Sequence, residues 1–151
     1  MTDPITKTVV VNAQPDRAFD VFVNRIAKWW PLDGHAVSAG RGKPALAVVI
    51  EPFVGGAVYE TMFDGTRADW GRVQVFELAQ RLAFSWHPGT DPDRATLVEI
   101  AFEPHGEGQT QVTLTHSGWE VWADDAPAKR GSYDSGWDHV LGECYAQAVG
   151  A

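Results

Sequence analysis

Cysteine is almost missing from this sequence. One, Cys144, stands among 151 residues, which excludes an intrachain disulfide and any zinc site built from several thiolates. Long apolar runs are missing too. None approaches the ~20 residues that a membrane-spanning helix needs, so no membrane insertion is expected. The opening MTDPITKTVVV has neither the basic nor the apolar region of a signal peptide, and the expected compartment is the cytoplasm. Basic charge is scarce: 12 Lys and Arg against 20 Asp and Glu give a formal net charge of −8. That sign is wrong for nucleic acid, whose affinity comes from cations on phosphates, and for anionic membrane surfaces.

Several catalytic signatures are also lacking. There is no internal repeat, no G-x-S-x-G and no H-E-x-x-H. His139 and Glu143 stand four apart beside Cys144, without a second histidine, and no metal is expected. GRGKPA at 40–45 has no strand close before it, and Pro44 blocks a helix start. It is not read as a phosphate loop, and no cofactor is expected.

What the chain has in quantity is rings: seven Trp and seven Phe. Large rings fill cores, but they also wall small-molecule pockets. The length suits one domain, residues 1–151. Residues 7–13 (KTVVVNA) predict a first strand. Residues 15–30 predict a helix, broken into two short ones, with apolar positions Ala18, Phe19, Phe22, Val23 and Ile26. Pro15 sits in its first turn and Pro31 stops it. Trp29 and Trp30 are adjacent, so on a helix one faces the core and the other an exposed edge. Residues 32–44 predict a mobile loop at the mouth of whatever the fold encloses.

From residue 45 the apolar period becomes two. ALAVVIEP, AVYETMF, WGRVQVFEL, RLAFSWH, TLVEIAFEP and TQVTLTH read as six strands joined by short Gly-, Pro- and Asp-rich turns, an antiparallel meander. Parity puts Leu82, Phe84 and Trp86 on one face, as it does Val98, Ile100 and Phe102, then Val112, Leu114 and His116, then Gly71, Val73 and Val75. Glu60 stands opposite Arg72 on the outer face, or turns inward if the register slips by one. A last helix spans 128–149, with Tyr133, Trp137, Val140, Leu141, Cys144 and Ala148 along one stripe. The expected class is α+β: a curved seven-stranded antiparallel sheet wrapped around this long helix, with two short helices after the first strand.

VIEPFVGG, DWGRVQVFE, RLAFSW, TLVEIAFEP, VTLTHSGW and YDSGWDHVL follow one another in one order. Together they resemble the small bacterial homologues of the activator of heat shock protein 90 ATPase, within the START and birch-pollen-allergen-like superfamily (SRPBCC). The resemblance covers residues 7–149. It implies a helix-grip fold and a cavity between sheet and C-terminal helix. The eukaryotic chaperone activator carries an additional N-terminal domain, for which no counterpart is expected here, so its role is not expected to transfer. The leading expectation is therefore a carrier of a small hydrophobic or aromatic molecule. Its pocket residues would be Trp30, Tyr59, Trp70, Val73, Phe84, Trp86, Val98, Ile100, His116, Tyr133, Trp137 and Leu141. His116 is either a polar anchor in that pocket or a buried, hydrogen-bonded histidine. No carboxylate partner can be placed beside it, and no catalytic residue is assigned. Two alternatives stand beside the carrier: a module that modulates a chaperone ATPase, and a cyclase- or hydrolase-like enzyme using the same pocket.

Overall fold

The computed structural model describes residues 2–150. The chain runs β1 (Ile5–Val11), α1 (Pro15–Asn24), α2 (Ile26–Trp29), β2 (Ala47–Ile50), β3 (Ala57–Thr61), β4 (Arg67–Glu77), β5 (Arg81–Trp86), β6 (Thr96–Pro104), β7 (Thr110–Ser117), α3 (Ala126–His139) and α4 (Ala146–Val149). The seven strands form one curled antiparallel sheet in the order β1-β7-β6-β5-β4-β3-β2. The long C-terminal helical segment lies against it, the α+β helix-grip arrangement expected. No helix among the described residues is long and apolar enough to cross a membrane.

The period-two pattern works as written in the centre of the sheet. Thr96, Val98, Ile100 and Phe102 of β6 and Thr110, Val112, Leu114 and His116 of β7 are buried, while the residues between them are not. α1 lays Phe19 and Phe22 edge-on to Phe102, at 5.1 and 6.0 Å between ring centroids.

Three expectations need correction, each for a backbone reason, and one open alternative is decided. Trp29 and Trp30 are both buried, 6% and 7% exposed. α2 ends at Trp29, and Trp30 is extended (φ −62°, ψ 132°), the conformation a following proline favours. The two indoles therefore do not obey helical spacing. In β4 the register shifts between Val73 and Val75. Beyond that bulge Phe76, not Val75, packs on the core, 5.3 Å from Phe19. A second shift, between Val58 and Tyr59, pairs Ala57 with Arg72 and Glu60 with Ala68. Glu60 shares the inward face with Val58 and Met62 and is fully buried, the second of the two orientations left open for it.

The third correction concerns the last helix. Residues Val140–Tyr145 form a π-helical segment, one residue wider per turn than an α-helix. It turns the stripe by one position. Tyr145, Ala146 and Val149 are buried, while Cys144 is half-buried and Ala148 exposed. The Tyr145 hydroxyl donates to the Ala18 carbonyl at 2.7 Å, tying this end of the helix to α1.

Gly71 is required where β4 crosses β5. A Cβ there would lie 1.7 Å from the Ser85 carbonyl oxygen, so no other residue fits this crossing.

Candidate functional site

The cup is only partly filled. Its deep half is packed solid: Val73, Phe84, Val98, Ile100 and Leu141 are at most 2% exposed and face one another in the core. Near the mouth a cavity of about 500 Å³ remains. Three segments wall it. Trp30, His35 and Val37 come from the end of α2 and the loop after it. Trp86 and Gly89 come from the end of β5 and the turn beyond. Tyr133, Gly136 and Trp137 come from α3, with Val140 following.

The indoles set its inner wall. Trp30, Trp86 and Trp137 stand 5.6–5.9 Å apart by ring centroids. Tyr133 lies 6.4 Å from Trp86. Trp70 stands behind, 5.2 Å from Trp30 and 5.3 Å from Trp86. Of the residues anticipated for the pocket, Trp30, Trp86, Tyr133 and Trp137 are thus brought together at the cavity. Trp70, Val73, Phe84, Val98, Ile100 and Leu141 are not among its lining residues. Tyr59 is elsewhere: the Arg67 guanidinium lies 4.0 Å over its ring, across the strand from inward-facing Glu60.

His116 is fully buried and does not line the cavity either. Its Nδ1 accepts the Trp137 indole N–H at 3.0 Å, which places the ring proton on Nε2. That proton goes to Thr96 Oγ1 at 2.6 Å, and the Thr96 hydroxyl donates to the Trp86 carbonyl at 3.3 Å. Burial pushes the imidazole pKa down to about 3. His116 is therefore neutral with both nitrogens engaged. It holds Trp137 and the end of β5 in place, and it has no free lone pair for general-base work.

The loop wall is fixed by Glu60. Its Oε1 accepts the Val37 N–H at 2.6 Å and the Trp70 indole N–H at 2.9 Å, and its Oε2 accepts the Ser38 N–H at 3.1 Å. Every partner is a donor, so the group acts purely as an acceptor that latches residues 37–38 over the cavity. The Ser38 hydroxyl extends the latch by accepting the Phe63 N–H at 3.1 Å.

Two titratable side chains line the space itself. Burial, helped by the neighbouring His139, lowers the pKa of His35, against an opposing pull from Asp33; its ring lies 5.6 Å from that of His139, tilted by 31°. Burial raises the pKa of the Tyr133 phenol, which stays protonated. His35, Val37 and Gly136 carry no signal in the sequence that marks them as cavity residues. The Gly/Pro punctuation of residues 32–44 marked the loop, but nothing local ties an imidazole in that loop to a helix a hundred residues on.

Outside the cavity, His139 Nδ1 bonds Glu143, and Cys144 Sγ lies 3.5 Å from His139 Nε2. Burial, with Glu143 and Asp33 nearby, pushes the thiol pKa up, the opposite of what a nucleophilic cysteine needs. Among the described residues no group of three His, Cys, Asp or Glu side chains is placed to hold a metal ion.

A comparison with curated proteins finds no match. Among solved structures, an anthrahydroquino-gamma-pyrone synthase, Txn09, is 33% identical, with a TM-score of 0.66; the match covers 98% of this chain and 97% of that one. CalC of Micromonospora echinospora, a self-sacrificing resistance protein, is 24% identical over 98% and 96% of the two chains, with a TM-score of 0.70. A protein from Mesorhizobium loti has the same TM-score at 17% identity over 97% and 96%. These last two show the fold alone. The family model described as activator of Hsp90 ATPase homolog 1-like protein matches residues 12–146, and the chain belongs to that family.

Proposed function

We propose that this protein binds a small planar aromatic molecule in the cavity between the loop after α2 and α3. The observation that carries this is the cavity itself: about 500 Å³ walled by Trp30, Trp86, Tyr133 and Trp137, each held by packing or by hydrogen bonds to the scaffold. A pocket of this size suits a drug-sized ligand. Burying ~150–200 Å² of ring surface at ~25 cal/mol per Å² supplies about 4–5 kcal/mol before association costs. The 33% identical synthase is named for an anthrahydroquino-gamma-pyrone, a flat fused-ring compound, and a flat guest matches indole walls.

Gly136 provides the test. It is helical, and an added Cβ would meet only the His35 ring, Cε1 at 3.6 Å and Nδ1 at 3.8 Å, both ordinary contacts. Gly136→Leu therefore fills the cavity while favouring the helix by up to about 1 kcal/mol. Tryptophan fluorescence titrated with tricyclic aromatics should show saturable quenching in the wild type, weakened at least about tenfold in Gly136→Leu. No saturable response to any tricyclic, or equal binding by both proteins, would refute the proposal.

The cyclase-like alternative has one observation in its favour: His35 and Tyr133 are an imidazole and a phenol with shifted pKa values at one cavity. Its test is deuterium exchange at the α-carbon of a bound ketone such as 2-tetralone, followed by NMR. Exchange that His35→Gln does not slow excludes His35 as the base. The chaperone-modulating alternative needs a continuous apolar patch.

A further inference from the structure

Seven indole N–H groups are present, and their partners differ in an informative way. Trp29 donates to the Val21 carbonyl, Trp30 to the His35 carbonyl, Trp70 to Glu60, Trp119 to the His116 carbonyl and Trp137 to His116 Nδ1. Trp122 is half-buried, its ring faced by Arg94 and Lys129 at 4.1 and 4.2 Å. Trp86 is 5% exposed and its N–H has no acceptor; no other buried side-chain nitrogen or oxygen among the described residues lacks a partner. A buried N–H without an acceptor costs about 1–3 kcal/mol, and native structures rarely carry one without a reason. This one belongs to a residue that lines the cavity.

Tyr133 lines the same cavity. Its hydroxyl is near enough to the Trp86 N–H that this donor opposes the burial-driven rise in the phenol's pKa, yet the two do not meet in hydrogen-bond geometry. The phenol stays protonated and is itself a donor. Two neutral donors, no cation and apolar rings on three sides define what fits between them.

We propose that the Trp86 indole N–H and the Tyr133 hydroxyl form a two-donor site for one oxygen of the ligand, so that the bound molecule is an aromatic ketone or phenol held by that oxygen. This rests on the cavity-binding reading above and adds the chemistry of the guest. The ligand oxygen supplies the acceptor that Trp86 lacks. A site of this kind discriminates against analogues without the oxygen, because binding them leaves the donors desolvated and unpaired.

The test compares 9-fluorenone with fluorene, which have the same ring frame and differ by one carbonyl. Fluorene is the more apolar, so burial alone favours it. Wild-type protein should nevertheless bind fluorenone at least about tenfold more tightly, by fluorescence quenching or calorimetry. The carbonyl stretch of bound fluorenone should fall below its value in an apolar solvent. Tyr133→Phe should shrink both the affinity gap and the infrared shift. Fluorene bound as tightly as fluorenone, or an unshifted carbonyl band, overturns the two-donor site and leaves the cavity reading standing. Failure of the wild type to bind either compound overturns both. The wild-type comparison needs no variant, so a Tyr133→Phe protein that folds poorly does not blunt it.

Discussion

Acidification should destabilise this fold well above the pH at which carboxylates begin to matter, and His116 is the cause. In an unfolded chain its imidazole titrates near 6.5; in the folded protein burial holds it down to about 3. Below pH 6.5 the unfolded state takes up a proton that the folded state refuses. The contribution to stability is therefore complete above that pH and declines as the pH falls toward about 3. Between pH 7 and pH 5 the loss from this one group is about 2 kcal/mol, a change of roughly thirtyfold in the folding equilibrium. With a urea slope of about 2 kcal/mol per M, the midpoint should fall by about 1 M. Other groups titrate in this window, His35 among them with the same sign. The decisive quantity is the difference between wild type and His116→Gln, which keeps a hydrogen-bonding side chain but cannot titrate. The variant should be less stable at pH 7, and its stability should change by about 2 kcal/mol less between the two pH values. Parallel pH profiles for the two proteins, or a His116 ring proton whose NMR shift moves between pH 7 and 5, would refute the account.

Two further substitutions probe the scaffold. Glu60→Ala leaves the Val37, Ser38 and Trp70 donors without their acceptor. Stability should drop by about 3 kcal/mol, the amides of Val37 and Ser38 should exchange much faster with solvent, and aromatic binding should weaken; unchanged amide exchange would show that the latch holds nothing. Ala123 has φ 46° and ψ −121°, a conformation that strains any residue with a Cβ. Ala123→Gly should therefore raise the melting temperature by about 2–4 °C, and a fall would mean the alanine methyl makes contacts worth more than the strain.

The strands, and the meander of the last six, were legible because one face of the sheet is dry. Burial on one side imposes period two, as Val98, Ile100 and Phe102 show, and turns of three to nine residues leave little freedom of connection. What was not legible is the extra residue. The bulges at Val58/Tyr59 and Val73/Val75 and the wide turn at Val140–Tyr145 are backbone insertions with no characteristic side chain. The surplus strand residues both lie in β4, and they and the wide turn shift the assignments after them, which is how Phe76 and Tyr145 came to lie inside; Glu60 follows the parity of Val58 and Met62. The cavity was harder still. Trp30, Trp86, Tyr133 and Trp137 could be named as ring-bearing positions, but an empty volume is decided by what the rings leave between them. That depends on a carboxylate in β3 binding two amides in a loop more than twenty residues earlier.

The widened turn in the last helix also decouples two tasks. Upstream of it, Tyr133, Gly136 and Trp137 are addressed to the cavity; downstream, Tyr145 and Val149 are addressed to the core beside α1. An uninterrupted α-helix would fix the angle between those two faces by sequence spacing alone, about 100° per residue. With one surplus residue as a phase shifter, the guest-facing half can change its side chains, or even its pitch, without unseating the half that locks the helix to the rest of the molecule.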